Sequence, residues 1–208
     1  NPFGGGLYFE VPDGSSLGKV KVTVAGAVKM PMYSTLDLEG HSSDLGEFTS
    51  DLSLHQVPWF EITGDKFTTT QSMNARNFAS DPQGLIDVFG DMFDAISAMT
   101  GRPLERIRSE WLAVDSQITV LGTAMAASYP IFGDQKILAP SETWPVGDDP
   151  WFAPWQYLNK DFFAANVTDN RKRQRDAALI LWHEWGHLHN QPTLSCQEGE
   201  SNVHMLAA

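Results

Sequence analysis

The pentapeptide His-Glu-Trp-Gly-His at residues 183–187 places two histidines four positions apart on a predicted helix. A helix turns about 100° per residue, so His183 and His187 lie on the same face, one turn apart. Two imidazole nitrogens in that arrangement can bind one Zn²⁺, and Glu184 can reach a metal-bound water as general base. The apolar stretch at residues 177–182 predicts that this helix is buried, where histidines and a carboxylate are costly without partners. We therefore predict a zinc site rather than a pair of ordinary core histidines.

The third zinc ligand has to come from outside the pentapeptide. Asn190 and Thr193 occupy the two positions where metzincins carry glycine and histidine, so that class is excluded. Glu200 opens the next predicted helix and can point back across the intervening loop, so we favour it as the third ligand. Other residues nearby stay open as alternatives: Cys196, Glu198 and His204.

Composition and charge exclude several classes of protein. The chain has 208 residues, of which 42% are hydrophobic, enough to bury a sizeable core. Its 14 basic and 26 acidic residues give a formal net charge of −12, which argues against a nucleic-acid binder and against docking on anionic membranes. No apolar run reaches the roughly 18 residues needed for membrane insertion. A single cysteine excludes an internal disulfide framework.

The pattern of apolar residues predicts an α+β fold, with a β-rich part at residues 1–78 and a helical part carrying the pentapeptide at residues 79–208. In the first part we predict strands at 7–11 and 19–25, a loop or short edge strands at 34–56, and a hairpin at 58–70 turning at Gly64 and Asp65. In the second part we predict helices at 81–101, 103–112 and 169–189 and a strand at 117–121.

Aromatic residues supply further candidates for substrate binding. Tyr129 is a candidate hydrogen-bond donor to the oxyanion of a tetrahedral intermediate, or else a turn residue before a proline. The indoles of Trp144, Trp151 and Trp155 have apolar faces suited to sugar rings, or else pack against one another in a proline-rich loop. Trp185 lies on the side of its helix opposite the two histidines and is predicted to be core.

Several segments together resemble the peptidase M60 family of enhancin-like, mucin-targeting zinc metallopeptidases. The pentapeptide is followed by a variable loop and by Gly-Glu-Ser-Asn at residues 199–202. Three further segments resemble family segments in the family's order: the glycine-rich stretch at residues 4–12, the Pro-Trp hairpin at 57–66 and the Ala-Ser-Tyr-Pro-Ile segment at 127–131. The resemblance therefore runs along nearly the whole chain.

The resemblance implies a zincin-like catalytic domain of the gluzincin type, extending beyond the helix that begins at Glu200, so we expect this chain to be truncated at its C-terminus. It implies an endopeptidase that cleaves glycoproteins, typically mucin-like ones with O-linked glycans. It also implies a secreted or cell-surface location within a longer multidomain chain that carries carbohydrate-binding modules. By motif position, His183, His187 and Glu200 are the implied zinc ligands and Glu184 the implied catalytic base.

Four residues are candidates for contact with the substrate. Asn202 falls in the stretch that follows the third ligand in the resembling family, and His204 lies one turn after Glu200, where it can form part of the cleft wall. Tyr129 and Trp155, described above, are the other two.

A second hypothesis is a non-proteolytic module that keeps the metallopeptidase fold and binds glycoprotein or glycan. The presence of Glu184 argues against it, because a site that only binds needs no general base. An aminopeptidase is disfavoured because no acidic motif for anchoring a free amine precedes His183.

Overall fold

The fold was obtained as a computed structural model, which describes residues 5–9, 14–16, 18–36, 43–115, 124–125, 129–134 and 183–189. Its strands are β1 (Met32–Ser34), β2 (Trp59–Thr63), β3 (Phe67–Ser72), β4 (Glu110–Asp115), β5 (Ala124–Met125) and β6 (Ile131–Asp134). Its helices are α1 (Leu45–Leu54), a 3₁₀ helix (Met73–Phe78), α2 (Pro82–Thr100) and α3 (residues 183–189). Within these ranges, no helix combines the length and the apolar character that crossing a bilayer requires.

The strands form one mixed sheet in the order β1-β2-β3-β4-β6-β5. The pairs β1–β2, β3–β4 and β4–β6 are parallel, and β2–β3 and β5–β6 are antiparallel. Strands from both sides of residue 78 therefore join in a single sheet. The chain has a mixed α/β fold, and its division at residue 78 stays a prediction.

The predicted hairpin is confirmed as β2 and β3. The Gly64 amide donates to the Phe67 carbonyl at 2.8 Å and closes the turn. A Cβ on Gly64 would lie 2.7 Å from Cγ2 of Ile86, so the close approach of α2 requires glycine there.

The predicted helix after residue 81 is confirmed as α2, which crosses one face of the sheet between the parallel strands β3 and β4. The Asp81 carboxylate accepts a hydrogen bond from the Gly84 amide at 2.9 Å, and Pro82 occupies the first turn. Gly101 ends the helix in the left-handed conformation, with φ of 67°. Among the side chains that α2 buries, five apolar ones follow a spacing of three and four: Leu85, Phe89, Met92, Phe93 and Ile96.

Several predicted elements in the first half were wrong. Residues 7–9 and 18–25 form no strand, and Val20, Val22 and Val24 are about half exposed because no strand pairs with this segment. The predicted loop at 34–56 contains α1, which begins with Asp44 accepting from the Glu47 amide and buries Phe48 and Leu52, one turn apart.

The predicted helix at 103–112 was also wrong. Leu104 and Ile107 are exposed at 50% and 92%, so this segment does not bury one apolar face as a packed helix would. The chain instead enters β4 at Glu110, where Leu112 and Val114 alternate into the core. The predicted strand at 117–121 lies outside the described residues.

The sheet face opposite α2 contains a buried carboxyl group. Glu61 is only 6% exposed, and its Oε2 accepts hydrogen bonds from the Tyr8 hydroxyl at 2.7 Å and the Thr70 hydroxyl at 3.1 Å. The Trp111 indole donates to the Thr70 hydroxyl at 3.0 Å and meets the Tyr8 ring edge to face at 4.9 Å. Burial raises the pKa of Glu61, and the two donated hydrogen bonds oppose that rise without cancelling it.

This raised pKa predicts a specific pH dependence. Because the folded-state pKa of Glu61 exceeds the ordinary value of 4.5, its contribution to stability is complete below that value. The contribution is lost as the pH rises through the folded-state pKa. Glu61→Gln is therefore expected to flatten the decline in the free energy of unfolding above pH 4.5, measured by urea denaturation at several pH values. Tyr8→Phe removes a donor to the carboxylate and should steepen the decline. Equal pH profiles for all three proteins would contradict this account.

Candidate functional site

Helix α3 is fixed to the core through Trp185. This side chain has no exposed surface, and its indole meets Phe67, Phe89 and Phe93 edge to face, with centroid separations of 6.1, 5.4 and 5.0 Å. Phe67 and Phe89 stack at 4.1 Å, so the indole packs on a continuous aromatic layer between β3 and α2. The prediction that Trp185 is core is confirmed. Side chains two positions apart on a helix point about 200° away from each other. His183 and His187 each lie two positions from Trp185, so the burial of Trp185 turns both histidines away from the core.

The two histidines face one another on the other side of α3. The Nε2 atoms of His183 and His187 are 3.0 Å apart, and their rings lie at 89° with centroids 4.6 Å apart. Both residues are half-buried. Two nitrogen ligands of a tetrahedral zinc ion, each about 2.0–2.1 Å from it, are separated by about 3.3 Å. The pair therefore fits a divalent metal of this type with a displacement of a few tenths of an ångström.

Glu184 follows His183 on α3 and is also half-buried. It lies about 100° around the helix axis from His183, so it flanks the pair of imidazoles rather than joining it. A carboxylate in this place could accept a proton from a water on a metal ion held by the two imidazoles.

The described residues contain no group of three or more histidine, cysteine, aspartate or glutamate side chains arranged to hold a metal. Glu200, favoured above as the third ligand, lies outside those residues and stays a prediction. The same holds for the other candidates beyond α3 and in the tryptophan-rich loop: Cys196, Glu198, Asn202, His204 and Trp155.

Tyr129 lies within the described residues, and the side chains around it are not those that surround α3. Its hydroxyl donates to the Ser109 carbonyl at 2.8 Å, its ring meets Trp111 at 6.2 Å, and the Arg108 guanidinium lies 3.5 Å from its centroid. Burial raises its pKa, so the phenol remains a donor at neutral pH. Because Trp111 lies on the sheet face opposite α2, these contacts hold Tyr129 on that face, and its role toward an oxyanion stays a prediction.

A buried polar cluster lies beside α3 that no local pattern in the sequence indicates. The cluster joins side chains from four different segments of the chain: Ser97, Arg106, Glu110 and His189. His189 is only 2% exposed. It lies two residues after the pentapeptide, but nothing in the local spacing distinguishes it from a surface residue after a helix.

A cleft of about 990 Å³ lies elsewhere, between residues 5–9, residues 24–32 and strand β2. No residue of α3 lines it. The cleft is therefore separate from the paired histidines.

The mixed sheet crossed by α2, with the facing histidines on α3, has a fold similar to that of solved metallopeptidases. The chain belongs to the family of peptidase M60, enhancin and enhancin-like proteins, whose pattern matches residues 26–145. The family suggested by the sequence motifs is thereby confirmed, and the match covers the sheet and α2 but not α3.

Solved structures share this fold. A metallopeptidase from Bacteroides thetaiotaomicron superposes with a TM-score of 0.57 at 15% identity, over 78% of this chain and 24% of that one. A metallopeptidase in complex with Tn antigen gives a TM-score of 0.59 at 15% identity, over 85% and 28%. A functionally unknown conserved protein from Bacillus anthracis gives 0.59 at 18% identity, over 85% and 32%. At these identities the likeness concerns the fold.

Curated relatives with similar sequences are named as channel-associated factors rather than as peptidases. Human TRPM8 channel-associated factor 2 is 32% identical over 129 residues, which are 62% of this chain and 13% of that protein. Bovine TRPM8 channel-associated factor 1 is 30% identical over 134 residues, with the same shares. The chain thus spans about one eighth of the length of these relatives.

Proposed function

We propose that this chain is the zincin-like, gluzincin-type part of a zinc-dependent endopeptidase that hydrolyses peptide bonds in glycoproteins. The observation that carries the proposal is the 3.0 Å approach of the His183 and His187 Nε2 atoms on a helix that also presents Glu184. Membership of a peptidase family and a fold shared with a solved metallopeptidase support it.

In this proposal, His183 and His187 hold the metal together with Glu200. When bound, zinc polarises the scissile carbonyl and lowers the pKa of a water. Glu184 accepts the proton from the attacking water and later donates it to the nitrogen of the leaving amine. The attack by water forms no acyl-enzyme, so no serine or cysteine nucleophile is needed.

The substrate class in the proposal is mucin-like, O-glycosylated protein. The solved metallopeptidase in complex with Tn antigen supports a glycan-bearing substrate. Tyr129, Trp155, Asn202 and His204 are the proposed substrate contacts. Such a substrate places the enzyme outside the cell or on its surface, in a longer chain with carbohydrate-binding modules.

The test is mass spectrometry of an O-glycosylated mucin-type protein after incubation with the full chain. Parallel samples contain a chelator, or substrate from which the glycans have been removed enzymatically. The proposal expects cuts beside glycosylated Ser or Thr that disappear in both parallel samples. Cuts that persist with chelator would contradict the metal mechanism, and cuts that persist without glycans would contradict the substrate class.

A second candidate is a non-proteolytic binding module, favoured by the relatives named TRPM8 channel-associated factors. In that case the chain binds glycoprotein and leaves it intact. Binding measured on immobilised mucin, with no new peptide termini in the same sample, would favour this candidate over the endopeptidase.

A further inference from the structure

We infer that Arg106 and His189 form a positioning device that sets the orientation of α3, and through it the approach of the two zinc-ligand imidazoles. Arg106 comes from the loop between α2 and β4, and its side chain is 9% exposed. This inference rests on the proposed function, because its consequence is the affinity of the site for metal.

The guanidinium of Arg106 joins three elements. Nη2 donates to the Phe93 carbonyl and the Ser97 hydroxyl of α2, both at 3.0 Å. Nη1 donates to the Glu110 carboxylate at the start of β4 and lies 2.8 Å from Nε2 of His189 on α3. A planar fork with fixed N–H directions holds all four partners in one arrangement, which a single ammonium group does not reproduce.

The hydrogen-bond partners determine the tautomer of His189. Its Nδ1 lies 2.8 Å from the Trp185 carbonyl, and a carbonyl only accepts, so Nδ1 carries the proton. Nε2 lies 2.8 Å from Arg106 Nη1 and 3.1 Å from the Glu110 carboxylate, so the guanidinium, the carboxylate and the imidazole meet at this atom. In the neutral ring, Nε2 accepts from Arg106, and the four terminal hydrogens of the guanidinium each find one acceptor. The imidazole also stacks on Phe93, with centroids 6.5 Å apart at 24°.

These contacts act on the same side of α3 as Trp185. Trp185 fixes which side of the helix faces the core through apolar packing. Directional hydrogen bonds at His189, one turn further along, restrict the remaining rotation about the helix axis. Arg102 adds a longer bond of 3.4 Å to the Leu188 carbonyl. Since His187 lies two residues before His189 on this short segment, a rotation would carry its Nε2 away from the metal position.

The test measures the zinc dissociation constant of the full chain by competition with a chromophoric chelator, well below the unfolding temperature. Arg106→Met and His189→Leu are each expected to weaken zinc binding by about tenfold or more, the range found for residues that orient metal ligands. The Co²⁺-loaded variants should also show altered visible absorption, because the ligand geometry changes.

Two variants separate positioning from general stability. His189→Gln places an amide oxygen near the position of Nε2, restores an acceptor for Arg106, and should recover most of the affinity. Lys29→Met breaks the 2.8 Å ion pair with Asp51 of α1. Lys29 lines the cleft that no residue of α3 lines, so this change should leave zinc affinity unchanged.

The outcomes are distinct. Zinc binding by Arg106→Met and His189→Leu at the unaltered affinity would overturn the inference while leaving the proposed function intact. An equal loss in Lys29→Met would also overturn it, because the effect would then be general destabilisation. If Arg106→Met does not fold, the comparison of His189→Leu with His189→Gln decides. Failure of the unaltered chain to bind zinc would overturn the proposed function and this inference with it.

Discussion

Replacing Glu184 with glutamine is expected to lower kcat for peptide hydrolysis by about 10²–10⁴-fold, the usual contribution of a positioned general base. Glutamine has nearly the same shape but no basic carboxylate, so it does not accept the proton of the attacking water. Because Glu184 flanks the paired histidines rather than joining them, zinc affinity should change little. The measurement is single-turnover cleavage of a glycopeptide, with zinc content determined on the same sample.

The control for this prediction is binding of intact glycoprotein to Glu184→Gln, which should match the unaltered chain. A variant that binds zinc and substrate but does not cleave supports the endopeptidase. A variant that cleaves at the unaltered rate would show that another group provides the base. If neither protein cleaves, the binding-module hypothesis gains support.

Replacing Trp185 with alanine is expected to lower the free energy of unfolding by about 3–5 kcal/mol, as for other large aromatic residues removed from cores. The indole is completely buried against three phenylalanine rings, so its removal leaves a cavity between β3, α2 and α3. Denaturant unfolding followed by circular dichroism measures the loss, and zinc affinity should fall as well because α3 is no longer fixed to the core.

Trp185→Phe is the matched variant. The indole Nε1 has no hydrogen-bond partner among the described residues, so phenylalanine loses contact area there but no hydrogen bond. We expect a smaller loss than for alanine. A cost below about 1 kcal/mol for Trp185→Ala would contradict the packing account, since so small a change is typical of surface positions.

Local signals in the sequence predicted the central hairpin and α2. Gly64 marks a turn that admits no side chain, and Asp81, Pro82 and Gly101 mark the two ends of a helix with one apolar face. These signals work because capping and turn geometry depend on neighbouring residues. The signal for α1 was weaker, with a polar composition and only two buried residues.

The incorrect strand and helix predictions have a tertiary cause. The alternating valines at 20, 22 and 24 have the pattern of a half-buried strand, but a strand forms only where another strand pairs with it. Residues 103–112 form no helix because the chain enters β4 at Glu110, where it pairs in parallel with β3.

In the candidate site, too, the sequence predicted the local feature and gave no signal for the long-range contact. The spacing of His183 and His187 predicted their shared face, since four residues make about one turn. The contact of Arg106 with His189 joins residues 83 positions apart, and the position of such a partner is set by the sheet rather than by local sequence. The buried carboxyl of Glu61 was likewise visible only once Tyr8 and Thr70 were placed beside it.

The most direct test of the metal site is the zinc stoichiometry and affinity of the full chain beside the double variant His183→Ala/His187→Ala, measured by calorimetric titration with zinc quantified by mass spectrometry. We expect one tightly bound zinc per unaltered chain and loss of that site in the double variant, with the fold retained as judged by circular dichroism. No bound zinc in the unaltered chain, or equal affinity in the double variant, would contradict the assignment of the paired histidines as a metal site.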